Sequence, residues 1–144
     1  MTRTTITRMI DAPFKVVFET ISDMTNYSKA VPDIVDVEFL SDTRTGVGTR
    51  FRETRLMKGK EAMTELEVTE YVANDRVRMV ADSHGTVWDT VFSVKSVAGR
   101  TELTLTMDAK AHKLLPTLMN PLLKGIIRKA VEKDMDSVKA FCEK

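Results

Sequence analysis

Between residues 35 and 109, apolar side chains alternate with polar ones in short runs, and the runs are separated by polar or glycine-bearing segments. Val35, Val37 and Phe39 alternate with Asp36 and Glu38. A turn is expected over Thr43 to Gly48, a strand over Arg50 to Met57 and a turn at Lys58-Gly59-Lys60. Ala62 to Tyr71 follows, with Ala62, Leu66 and Val68 in one phase and Tyr71 out of it, which predicts a bulge near Thr69. Asn74-Asp75, His84-Gly85 and Ala98-Gly99 divide the remainder into strands carrying Val77, Met79 and Ala81, then Trp88, Thr90 and Phe92, then Leu103, Leu105 and Met107. Connections this short make neighbouring strands antiparallel.

Before this meander the pattern changes period. Thr4 to Ile10 alternates like a strand, and Ala12-Pro13 stops it. Pro13 suits a first helical position, with Phe14, Val17, Phe18 and Ile21 as an apolar face; a second short helix runs from a Ser22 or Asp23 cap to about Lys29. After the meander, Asn120 to Cys142 reads as one long helix of roughly 33 Å. Its apolar residues form two ladders, Leu122, Ile126, Ala130 and Leu123, Ile127, Val131, Met135. Steps of four precess around the helix, so the stripe winds and its two halves face different neighbours. Gly125, in the front half, marks a close approach, a bend or a tolerated interior glycine.

One sheet face is apolar, and the long helix is the only element large enough to cover it, which makes the class α+β. The 144 residues suit a single domain over 1–144 with a real core. A formal net charge of +1 gives no reason to expect a nucleic-acid partner. The single cysteine, Cys142, cannot form an internal disulfide, and no run is long and apolar enough for stable membrane insertion. The start of the chain is polar and threonine-rich, so a cytoplasmic location is expected.

Several segments together resemble the polyketide cyclase/dehydrase branch of the SRPBCC, or START-like, superfamily. They are Ala12-Pro13 after the first strand, Phe18 to Asp23, Tyr27 with Val31-Pro32, Gly46 to Glu53, Val68 to Tyr71 and the terminal helix. Asp23 to Pro32 is also similar to coenzyme-Q-binding members. The resemblance implies a helix-grip fold: a seven-stranded antiparallel sheet wrapped around the long C-terminal helix, two short helices after strand 1, and a hydrophobic cavity between sheet and helix. It carries over no catalytic residues, because fold alone does not set function in this superfamily.

The strand from Arg50 to Met57 holds the candidate chemistry. Its odd phase, Phe51, Glu53, Arg55 and Met57, has more large apolar residues than its even phase and is expected to face inward, which places Glu53 and Arg55 together. Three readings are open: a polar anchor inside an apolar cavity, a rim or outer-face ion pair, and a general base. Thr64 and Leu66 share a phase on the next strand, and Trp88, Thr90 and Phe92 share one further on; the aromatics suit a pocket wall or plain core. Met79 and Met107 suit an adaptable wall or ordinary packing, and Leu122 and Ile126 a wall formed by the front of the helix.

His84 and His112 lack a second ligand at metal spacing, and no phosphate-binding or dinucleotide fingerprint is present, so no metal and no cofactor is expected. The cations Lys124, Arg128, Lys129 and Lys133 spread around the helix and read as a solvated face. The expected function is binding of a small hydrophobic or amphipathic ligand, such as a lipid, polyketide or quinone-like molecule. One alternative is a cyclase or dehydratase using Glu53, and another a quinone chaperone that docks a membrane or partner. Neither the ligand nor the oligomeric state is fixed by the sequence.

Overall fold

The computed structural model describes residues 2–83, 85–112 and 121–144, the side chains of 121–123 excepted. The expected helix cap Asn120, the wall residues Leu122 and Leu123, and His84 therefore lie outside the described side chains. Strand β1 (Thr2–Ile10) is followed by helices α1 (Phe14–Ser22) and α2 (Met24–Ala30). Strands β2 (Ile34–Phe39), β3 (Arg50–Met57), β4 (Lys60–Val72), β5 (Arg76–Ser83), β6 (Thr86–Val97) and β7 (Arg100–Ala111) come next, and helix α3 (Pro121–Cys142) ends the chain.

The strands form one antiparallel sheet in the order β1-β7-β6-β5-β4-β3-β2. From β2 to β7 each strand pairs with its sequence neighbour, while β1 closes onto β7 with Ile6 opposite Leu105. This is the helix-grip arrangement. The tight turns are set by backbone sign: Lys58 and Gly59 have φ of 51° and 80°, and Ala98 and Gly99 have 50° and 82°. Two successive positive φ values match the right-handed twist of the flanking strands, and glycine supplies the second of them without strain. The bulge lies where the phase slips, between Val68 and Glu70.

Local details differ from the sequence reading at α1. Pro13 caps the helix instead of starting it: its backbone is extended, and its carbonyl accepts from Val16 N at 3.0 Å and Val17 N at 3.2 Å. Phe14 is 41% exposed and leaves the apolar face to Val17, Phe18 and Ile21, all buried. The cap of α2 is Asp23, whose carboxylate accepts from Thr25 N at 2.9 Å.

The core lies on the concave side of the sheet. Ile6 and Ile10 of β1, Val77 of β5, Leu103 of β7, Val17 and Ile21 of α1, and Met135 and Val138 of α3 are each at most 2% exposed. Arg8 shares the inward phase of β1 and meets α3 by charge, its Nε donating to Asp136 Oδ1 at 2.6 Å. The back half of α3, with Val131, Met135, Val138 and Cys142 all buried, is thus gripped by β1 and α1. The front half is not gripped in this way. Ile126 is 49% exposed, and among the described residues a Cβ added at Gly125 would meet nothing within 4 Å.

Candidate functional site

Beneath the front half of α3 the concave face of the sheet encloses a cavity of about 390 Å³. Every strand from β3 to β7 contributes to it because inward side chains recur at every second residue. β3 supplies Phe51, Glu53 and Arg55; β4 supplies Leu66; β5 supplies Met79; β6 supplies Trp88, Thr90 and Phe92. β7 adds Met107, and Ile126 forms part of the helical wall. Paired positions explain the convergence, since Thr90 lies opposite Met79 on one side and Met107 on the other, and Phe51 lies opposite Leu66.

Two expected wall residues are not among those lining the cavity. Thr64 is opposite Glu53 in register and half-buried, but the β4 side chain that lines the cavity is Leu66, two residues on. Ala62, two residues earlier on the same face, is exposed. Leu122 lies outside the described side chains.

The structure adds residues that the sequence reading did not place at the site. Met24 and Tyr27 come from α2, Leu105 from β7, and Ala130, Val131 and Asp134 from α3. Tyr27 packs edge-on against Phe92, with ring centroids 5.8 Å apart, and so joins the short helix to the cavity floor. Asp134 had a readable signal: it continues the ladder Ile126, Ala130 by one further step of four.

Asp134 completes a charged cluster at one end of an otherwise apolar space. Arg55 Nε donates to Glu53 Oε1 at 2.5 Å, Nη1 donates to Asp134 Oδ1 at 3.1 Å, and Nη2 is 2.9 Å from Asp134 Oδ2. The side chains of Glu53 and Asp134 are each 13% exposed and that of Arg55 is 24% exposed. Burial works against the Arg55 charge, but the two carboxylates overcome it and raise the guanidinium above its ordinary value. The Tyr27 phenol is also pushed up, by burial first and by Asp134 second, while Arg55 pulls partly the other way. An ion pair held inside the protein, not on its outer face, is therefore what β3 carries.

The remaining candidates fall elsewhere. His112 is exposed, with Nε2 2.8 Å from Asp82 Oδ1. Among the described residues no cluster of three or more acidic, histidine or cysteine side chains could hold a metal ion, and no helix is long and apolar enough to cross a membrane. A depression of about 490 Å³ on the solvent side of α3 is lined by Lys129, Glu132, Lys133, Asp136, Ser137 and Ala140, four of the six charged.

Residues 1–143 match the family described as polyketide cyclase / dehydrase and lipid transport. No curated protein matches the chain. Among solved structures, the Zhui aromatase/cyclase from Streptomyces sp. R1128 is similar at 18% identity and a TM-score of 0.82, covering 99% of this chain and 93% of that one. A START superfamily protein from Mycobacterium smegmatis is similar at 16% identity and a TM-score of 0.81, with 98% and 97% covered. The ginseng major latex-like protein 151 from Panax ginseng is similar at 11% identity and a TM-score of 0.80, with 98% and 97% covered. At these identities the likeness is one of fold.

Proposed function

Because the chain belongs to the polyketide cyclase / dehydrase and lipid transport family of the START-like superfamily, we propose that it binds a small hydrophobic or amphipathic molecule between its sheet and the front of α3. The observation that carries this reading is the cavity itself. Its volume of about 390 Å³ falls within the roughly 300–1,000 Å³ typical of small-molecule sites, toward the lower end. Its wall is mostly methionine, leucine, isoleucine and aromatic side chains, with polar groups concentrated in the Glu53–Arg55–Asp134 cluster. A body of one ring system or one short chain fits that space, with a polar group directed at the cluster.

Native mass spectrometry of the protein after exposure to a lipid and polyketide extract tests the proposal. The expected result is a bound species in the wild type that is lost in Met79→Trp, where a bulkier side chain fills the space. No bound species, or one that Met79→Trp leaves intact, would remove the cavity from the account.

A second reading, turnover of a polyketide-like substrate, is favoured by the convergence of Glu53, Arg55, Asp134 and Tyr27 on one cavity. Such chemistry requires a carboxylate free to accept a proton from the substrate. Glu53 already accepts from Arg55, which leaves its second oxygen for that role. If Glu53→Gln retains binding and any detected turnover, the carboxylate is an anchor; if it retains binding and abolishes turnover, the enzymatic reading replaces the carrier.

A further inference from the structure

The charged cluster also restricts the chemistry of the ligand. Two carboxylates carry more acceptor lone pairs than one guanidinium has N–H donors, so the cluster is acceptor-rich once its internal bonds are made. Arg55 directs Nε at Glu53 and both terminal nitrogens at Asp134, which occupies its fork. Counted formally, two negative groups against one positive group leave the cluster with one negative charge. Among the described residues no other lysine or arginine lines the cavity. The remaining polar lining groups among the described residues are the hydroxyls of Tyr27 and Thr90, which either donate or accept, and the indole N–H of Trp88, which only donates.

Resting on the binding reading above, we infer that the cavity selects ligands whose polar group donates hydrogen bonds, protonated amines above all, and discriminates against carboxylates. An ammonium placed at the cluster satisfies free acceptor positions on Glu53 and Asp134 and cancels the residual charge. A carboxylate in the same place meets two others, each only 13% exposed, across a mostly apolar space, and like-charge contact of that kind is unfavourable. An alcohol or phenol falls between the two, since it donates one bond and carries no charge. The selectivity cannot come from the protein as a whole, because the chain has 22 lysines and arginines against 21 aspartates and glutamates, a formal net charge of +1.

The chain reports on its own cavity. Its single tryptophan, Trp88, lines the wall, so occupancy is read from tryptophan emission with aliphatic probes that do not absorb. Decylamine, decan-1-ol and decanoate share one chain and differ only in the polar group. At neutral pH the expected order of affinity is amine, alcohol, carboxylate, with at least about a tenfold gap between the first and last. Asp134→Asn removes one negative charge and narrows that gap, chiefly by improving decanoate; Glu53→Gln supplies the same comparison if Asp134→Asn fails to fold. Decanoate binding as tightly as decylamine in the wild type overturns the inference while leaving the binding reading intact. A gap that both folded variants leave unchanged also overturns it. Saturable binding of none of the three probes removes the binding reading and this inference together.

Discussion

The two halves of α3 are one continuous helix with two different jobs. From Val131 onward the buried positions advance by four, three and four residues to Met135, Val138 and Cys142, and each meets side chains of the sheet, α1 or α2. Before Val131 the same stripe continues through Ile126, Ile127 and Ala130, yet it borders a cavity and leaves Ile126 half exposed. The difference is one of neighbours, not of hydrophobicity. A wound stripe on a straight helix turns away from the wall it began on, and the sheet is closely apposed only at one end. Asp134 stands at the junction, where the helix passes from packing to roofing, and Arg55 ties it to β3 there.

The contrast predicts unequal responses to mutation. Met135→Ala, in the packed half, should have the largest effect, about 4 kcal/mol lost in denaturant unfolding, because a buried methionine is replaced by a cavity. Arg55→Met at the junction should lose about 3 kcal/mol, since two carboxylates then share a desolvated site without their cation. Restoring stability in Arg55→Met by adding Glu53→Gln and Asp134→Asn would show that uncompensated charge, not lost packing, is the cause. Ile126→Ala, in the roofing half, should change stability by no more than about 0.5 kcal/mol while weakening ligand binding. Equal stability losses for Met135→Ala and Ile126→Ala would erase the distinction between the halves.

The smallest expected effect is on the alkaline side. Burial pushes the Cys142 thiol above its usual 9.0; its hydrogen bond with Thr20 pulls it back and Glu143 adds to the rise. A thiol raised in the fold gives up its proton more readily in the unfolded chain. Its contribution to stability is therefore intact below about pH 9 and declines as pH rises from there through the folded value. Tyr27, raised above 10.0 chiefly by burial, acts in the same direction from the cavity side. Cys142→Ala should flatten only part of the decline in melting temperature above pH 9, and a wild-type curve that stays level would contradict the burial argument.

Much of this architecture was legible in the sequence because it rests on periodicity. Period-two alternation located the strands, the slip at Tyr71 located the bulge, and the step-of-four ladders located α3 and its winding. The strand phase of Phe51, Glu53 and Arg55 is enough to put the ion pair on one face. What remained hidden depends on contacts between distant segments. Asp134 is 79 residues from Arg55, and a charged helical residue reads as solvated unless the sheet beneath it is known to carry an arginine. Tyr27 was visible as an apolar residue of α2, but nothing local says that α2 folds over Phe92. Thr64 has the right phase but is not among the lining side chains, since alternation fixes the face of a residue and not whether it borders a cavity. For Gly125 the sequence allows close approach, and no described residue comes within 4 Å of a Cβ placed there.

The most direct test uses the methionine methyl groups as reporters on both halves at once. Met24, Met57, Met79 and Met107 line the cavity, Met135 lies in the packed half at 1% exposure, and Met63 is exposed on the outer side of β4. In ¹³C-methyl-methionine spectra titrated with decan-1-ol, the four cavity methyls should shift in a saturable, common fashion while Met135 and Met63 stay in place. Movement of Met135 and Met63 along with the rest, or no saturable shift of the cavity methyls, would contradict a ligand site under the front half of α3.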